Sequence, residues 1–185
     1  MIDGDQKLML EQLCALPIKP RMVFAHMRSA LAYAQTSYAQ RLKVGCVIVD
    51  PKTDQPVSIG WNGTAPGEPN VCERTGENGE LISEGVIHAE QNALSRLPLH
   101  VEDTCGLVLF VTHSPCPVCT KLIIDSGIET VIYQQPYRIV DGIREMLQAG
   151  IRVYRMVDLY AISQHTLNAD GIGMTSVPFL INPDV

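Results

Sequence analysis

Residues 112–121 read Thr-His-Ser-Pro-Cys-Pro-Val-Cys-Thr-Lys, so that Cys116 and Cys119 form a Cys-x-x-Cys pair with a proline before each cysteine. Such a pair offers two thiolates, which can grip a metal ion or cycle through a disulfide. Two thiolates do not complete a zinc site, and no second Cys-x-x-Cys follows in the chain. Upstream, Val86-Ile87-His88-Ala89-Glu90-Gln91 sets His88 two residues before Glu90. His88, Cys116 and Cys119 together make three protein ligands. Three ligands plus a water is the composition of a catalytic zinc centre, whereas a structural zinc takes four. Glu90 lies about 200° from His88 on a regular helix and so cannot ligate the same ion. It can instead face the water beside the metal, taking a proton from it and returning that proton to a substrate.

For this chemistry to occur, the two halves must meet in space. Apolar spacing predicts a helix from Arg21 to about Ser37, through Val23, Met27, Ala30, Leu31 and Ala34. Short β-branched runs predict strands at Gly45–Asp50 and Val57–Gly60, followed by a long polar stretch from Trp61 to about Glu84. A helix over Ile87–Leu97, a strand over Cys105–Thr112 and a helix over Pro115–Gly127 come next. A strand at Thr130–Tyr133, a helix at Ile139–Ala149 and a strand at Ile151–Arg155 complete the pattern. The expected fold is α/β, a three-layer α/β/α arrangement of a five-stranded mixed sheet with helices on both faces. His88 and the cysteine pair each open a helix that follows a strand. Successive helices starting at one sheet edge can lie side by side, which brings their first turns together. Helix N-termini favour thiolate over thiol, and prolines are tolerated in a first helical turn.

The chain of 185 residues fits one domain, with a core over about 21–155, an N-terminal segment 1–20 and a C-terminal extension 156–185 of weak patterning. Apolar residues make up 46% and charged residues 18%, as in a folded globular protein. The net charge of −6 and the lack of a basic run argue against a nucleic-acid partner. No apolar run approaches the ~20 residues of a membrane span. The first ten residues, acidic and without an apolar core, do not resemble a signal peptide. The expected compartment is a reducing cytoplasm, where Cys-x-x-Cys points to metal or redox chemistry. Other readings stay open from the residues alone. The cysteine pair can be a redox pair, although it comes late in the chain for a thioredoxin-like motif. His88 can be a capping or core histidine, and His113 is a rival ligand. Cys46 reads as a small core residue, and Cys72 in the long loop reads as a core residue, a reactive thiol or part of a second metal site.

His88-Ala89-Glu90 with Pro115-Cys116-Pro117-Val118-Cys119 matches the H-x-E … P-C-x-x-C signature of zinc-dependent nucleobase deaminases. The stretch from about Arg21 to Arg155 further resembles deoxycytidylate (dCMP) deaminases of the phage type. The matching pieces are Arg41-Leu42-Lys43-Val44-Gly45-Cys46, Gly60-Trp61-Asn62-Gly63-Thr64, Asn70–Glu73, the two halves of the zinc motif, and Tyr137-Arg138-Ile139-Val140-Asp141-Gly142. The resemblance implies a cytidine-deaminase-like fold, one catalytic Zn2+ per chain and hydrolysis of dCMP to dUMP and ammonia, which feeds thymidylate synthesis. It implies Glu90 as the proton shuttle, Asn62 at the sugar and base, the Ala89 N–H at cytosine O2 and the Ser114 carbonyl at the leaving amino group. Arg41, Tyr137 and Arg138 are the candidates for the 5′-phosphate, arginine being suited to bidentate contact. The family is usually homohexameric, activated by dCTP and inhibited by dTTP. By similarity the regulatory nucleotide falls to Trp61, Gly63 and Glu73. Gln40-Arg41 stands where some relatives carry a cysteine for a second, structural zinc, so none is expected. The zinc motif alone is also compatible with a nucleoside, a 5-modified dCMP, a pterin-like or a tRNA adenosine substrate, or with a non-catalytic zinc-stabilised interaction module.

Overall fold

In the computed structural model the described residues are 16–98, 104–139, 141–157 and 179–181. Cys14, His100, His165 and most of the two terminal segments lie outside the described residues. Helix α1 (Pro20–Gln35) begins on a proline, whose missing N–H costs nothing in the first turn. Val23, Met27, Ala30 and Ala34 recur along one side of it and are buried.

Strands β1 (Gly45–Asp50) and β2 (Gln55–Trp61) form an antiparallel hairpin. A small antiparallel pair, β3 (Glu73–Thr75) and β4 (Leu81–Ser83), follows inside the polar stretch. Then come α2 (Ala89–Ser95), β5 (Val108–His113), α3 (Pro117–Ser126), β6 (Thr130–Gln135), α4 (Asp141–Gln148), β7 (Arg152–Val157) and β8 (Phe179–Ile181). The main sheet runs in the order β2-β1-β5-β6-β7-β8. β5, β6 and β7 are parallel, and β1 lies antiparallel to β5. The five expected strands are all present. A sixth, β8, is added antiparallel to β7 from the C-terminal segment, and three residues are too few to show a period in sequence.

Both faces of the sheet are covered. Cys46, Ile48, Leu109, Val111 and Val131 pack against α2, α3 and α4, while Val47, Val49, Val108, Phe110 and Ile132 pack against α1. That is why the central strands read as unbroken apolar runs rather than as alternation.

Two helix starts differ from the sequence expectation for local reasons. Ile87 cannot join α2, because its N–H and C=O are both bonded to Gly63, at 2.8 and 3.1 Å. The helix therefore begins at Ala89, with His88 as its extended N-cap. Likewise α3 begins at Pro117, since the residue before a proline is driven to extended backbone. Cys116 is that residue, with ψ of 165°. The end of α3 is as expected, with Gly127 in the left-handed region at φ 77°.

Helix α2 is pressed onto β2. Ser58 Oγ donates to Ala93 O at 2.6 Å, and Asn92 Nδ2 donates to Trp61 O at 2.9 Å. Between them Gly60 lies so close that a Cβ there would overlap Ala89 O and Ala93 N. Gly60→Ala is expected to cost about 1–3 kcal/mol through overpacking, read from urea denaturation of the metal-loaded protein. Gly63→Ala, where a Cβ meets nothing within 4 Å, is expected to stay within about 0.5 kcal/mol of wild type. Equal stability of the two variants would contradict the close approach.

Candidate active site

His88 and Cys116 are the N-caps of α2 and α3, and Cys119 lies one turn into α3. The chain brings these three together. His88 Nδ1 is 3.4 Å from Cys116 Sγ and 3.3 Å from Cys119 Sγ, and all three donor atoms lie within 4.8 Å of one another. Tetrahedral coordination by an imidazole nitrogen and thiolates at the usual bond lengths puts N and S about 3.5 Å apart. The donors are thus already spaced for one ion, and two thiolates with an imidazole suit zinc. His113 stands outside this group. Its Nδ1 lies 3.1 Å from Thr112 Oγ1, which also accepts the Gly45 N–H at 3.2 Å. His113 lines the cavity wall instead, and burial lowers its pKa.

The electrostatics fit a cation site. The hydrogen bond with Cys119 holds the Cys116 thiol well below the usual thiol range, against burial and with help from His88. The same bond, then burial and the Glu90 charge, push Cys119 up. The bond to Cys116 raises His88 in turn. The three groups therefore share protons among themselves, and a divalent cation would satisfy all three donors by displacing those protons. Glu90 is 4% exposed in the first turn of α2. Burial, above all, raises its carboxyl pKa. A buried carboxyl with a raised pKa beside a metal-donor cluster is a candidate general acid–base group.

His88, Glu90 and Cys116 line a cavity of about 290 Å³, at the lower end of small-ligand sites. Of the residues expected at the substrate, Arg41, Asn62, Ala89, Ser114, Tyr137 and Arg138 all line it. Asn62 does structural work there: its Oδ1 accepts the Val44 N–H at 2.8 Å and its Nδ2 donates to Leu42 O at 2.8 Å. Ser114 Oγ accepts the Tyr137 N–H at 2.7 Å, tying the Tyr137–Arg138 segment to the end of β5. The Arg138 guanidinium carbon lies 5.6 Å from the Tyr137 ring centre. The Ala89 N–H opens a helix and has no intrahelical acceptor.

The three residues assigned by similarity to a regulatory nucleotide each have contacts of their own. Trp61 stacks on Tyr33 at 6.2 Å and lies under Arg96 at 5.0 Å. Gly63 forms the bridge to Ile87. Glu73 alone faces the cavity. Cys46 is a core residue and Cys72 is buried, at 0% and 2% exposure. Sequence reasoning missed Ser83, which lines the cavity from β4. The only signal for it was a Gly76…Gly79 turn between two three-residue strands.

The chain matches the family model of the cytidine and deoxycytidylate deaminase zinc-binding region over residues 22–135. It is 35% identical over 124 residues to ComE operon protein 2 of Bacillus subtilis (strain 168), covering 65% of this chain and 63% of that protein. It is 36% identical over 118 residues to the deoxycytidylate deaminase of Mycobacterium phage D29, covering 56% of this chain and 87% of the phage protein. Among solved structures, the dCMP deaminase of cyanophage S-TIM5 in complex with dCMP and dUMP superposes with a TM-score of 0.67 at 41% identity, over 75% of this chain and 99% of that one.

The purified protein is expected to carry about one divalent ion per chain by elemental analysis, as a three-ligand site requires. His88→Ala, Cys116→Ser and Cys119→Ser should each lose it. Full metal content in Cys116→Ser would contradict the ligand set.

Proposed function

Since the chain belongs to the cytidine and deoxycytidylate deaminase zinc-binding family, we propose that it hydrolyses dCMP to dUMP and ammonia with one bound Zn2+. The observation that carries this reading is one cavity lined by His88 and Cys116 of the metal-donor triad, by buried Glu90 and by the two guanidinium-bearing residues Arg41 and Arg138. The S-TIM5 relative, whose structure holds dCMP and dUMP, supports the choice of substrate.

When bound, zinc lowers the pKa of a coordinated water to about 7 and so supplies a nucleophile at neutral pH. The remaining work falls to the protein. Glu90 takes the proton from the attacking water and delivers it to cytosine N3. As the water oxygen bonds to C4, a hydroxyl forms there; Glu90 then carries the second proton from that hydroxyl to the amino group, the C4–N bond breaks, and ammonia departs as C4=O forms. Burial, which raises the pKa of this carboxyl, strengthens it as the base that takes the water proton and lets it hold that proton until delivery. The Ala89 N–H holds cytosine O2, and the Ser114 carbonyl accepts a hydrogen from the leaving amino group. Asn62 sets the sugar through the amide hydrogen and lone pair that its loop bonds leave over. Arg41, Tyr137 and Arg138 take the 5′-phosphate.

The same reading includes hexamer assembly, activation by dCTP, inhibition by dTTP and supply of dUMP for thymidylate synthesis, all carried by family likeness. It places the reaction in a reducing cytoplasm, that of the host if the chain is phage-encoded. Cys46, Cys72, Cys116 and Cys119, which form no disulfide, agree with that setting.

The test is ammonia release from dCMP, cytidine and an RNA hairpin. Wild type should turn over dCMP. Glu90→Gln should keep its metal and fold yet lose about 100-fold or more in kcat. Turnover of cytidine or RNA without dCMP would overturn the substrate assignment, and loss of metal in Glu90→Gln would make Glu90 a ligand.

A further inference from the structure

Residues 37–44 join α1 to β1 and carry Arg41 into the cavity, largely without regular structure of their own. Such a segment holds an arginine in place only if something else fixes its backbone. Asn62 does so at the β1 end, through Leu42 and Val44. Ser37 does so at the α1 end, its Oγ donating to Asn62 O at 2.7 Å. The middle is held from the opposite side. Glu73 Oε1 accepts the N–H of Gln40 at 3.0 Å and of Arg41 at 3.2 Å, and Arg41 Nη1 donates to Ser83 Oγ at 3.2 Å. Glu73 and Ser83 are paired across the β3–β4 hairpin, so both contacts come from one rigid unit.

We propose that Glu73 is a positioning residue: through the backbone of Gln40 and Arg41 it aims the Arg41 guanidinium at the 5′-phosphate of the substrate. This rests on the dCMP reading above. A free carboxylate in a phosphate pocket would repel the ligand. Here its charge is turned onto two backbone N–H groups, where a charge-assisted bond is strong. The guanidinium, for its part, makes no ion pair with a carboxylate among the described residues, so its charge remains available to an anion. The bond to Ser83 limits its rotamers at no cost in charge. The hairpin in the long polar stretch thereby becomes a specificity element, selecting phosphorylated over unphosphorylated deoxycytidine.

Two measurements on the zinc-loaded protein test this. The first is hydrogen exchange at residues 37–44, which needs no substrate. Glu73→Ala should speed exchange of the Gln40 and Arg41 amides about tenfold or more. Glu73→Gln, whose amide oxygen still accepts both bonds, should stay within about threefold of wild type. Unchanged exchange in Glu73→Ala overturns the clamp. The second is kinetics on dCMP and deoxycytidine. Glu73→Ala should raise KM for dCMP about tenfold, with kcat within about threefold and KM for deoxycytidine nearly unmoved. Glu73→Gln should restore most of the loss. Adding Glu73→Ala to Arg41→Ala should raise KM little beyond Arg41→Ala alone, because one residue acts through the other. A kcat loss shared by both substrates, or additive effects in the double variant, overturns the proposal. A wild-type enzyme that ignores dCMP refutes the substrate reading and with it the phosphate role, and the exchange measurement still decides the clamp.

Discussion

The site exists only if two helix starts that are 28 residues apart in sequence are held within hydrogen-bonding distance, with His88 Nδ1 facing two sulfurs. Neither start is free to choose its position. The Gly63–Ile87 bridge stops the backbone from coiling early and leaves His88 extended, with its ring directed at the neighbouring helix. Gly60 lets α2 lie directly on β2. On the other side, Pro117 forces Cys116 into extended backbone, and the Gly142 backbone at the start of α4 presses against Thr120 and Pro115 O, bracing the first turn of α3. The ligand geometry is therefore a property of backbone packing, and the three side chains only report it.

That packing also decides what the site can do. The carboxyl of Glu90 sits in the same first turn that supplies His88 and is almost fully buried. In most proteins a buried carboxyl is a cost without return. Here it stands beside three metal donors and a ligand-sized cavity, with burial raising its pKa. Opposite it the cavity wall changes character: Arg41, Tyr137 and Arg138 stand on segments fixed by backbone bonds to Glu73, Asn62 and Ser114. Metal donors, a buried carboxyl and guanidinium groups are thus distributed around one space, on segments that Glu73, Asn62 and Ser114 hold still.

The metal-donor half of the site was legible in the sequence because that half depends on local rules. A cysteine before a proline, a histidine before a helix and a glutamate two residues on are all readable without knowing the fold. The unbroken apolar runs of the central strands and the Gly127 stop were legible for the same reason. The substrate half depended on contacts distant in sequence. Nothing local in Asn62 tells that both sides of its amide are committed to Leu42 and Val44. Nothing in Glu73 tells that it meets Gln40 and Arg41, more than thirty residues away, rather than Trp61 and Gly63 close by. The strands β3 and β4 were too short to show a period, so the hairpin that carries Glu73 and Ser83 read as loop.

The central claim is that two helix starts build a metal centre with three protein ligands and one open position. X-ray absorption at the zinc edge of the substrate-free, metal-loaded protein tests it most directly. The account predicts two sulfur scatterers at about 2.3 Å and two nitrogen or oxygen scatterers at about 2.0–2.1 Å, one from His88 and one from water. The water scatterer should be replaced when a hydrated pyrimidine analogue is added, while the two sulfurs stay. A shell of four protein ligands unchanged by the analogue, or a sulfur count other than two, would contradict it.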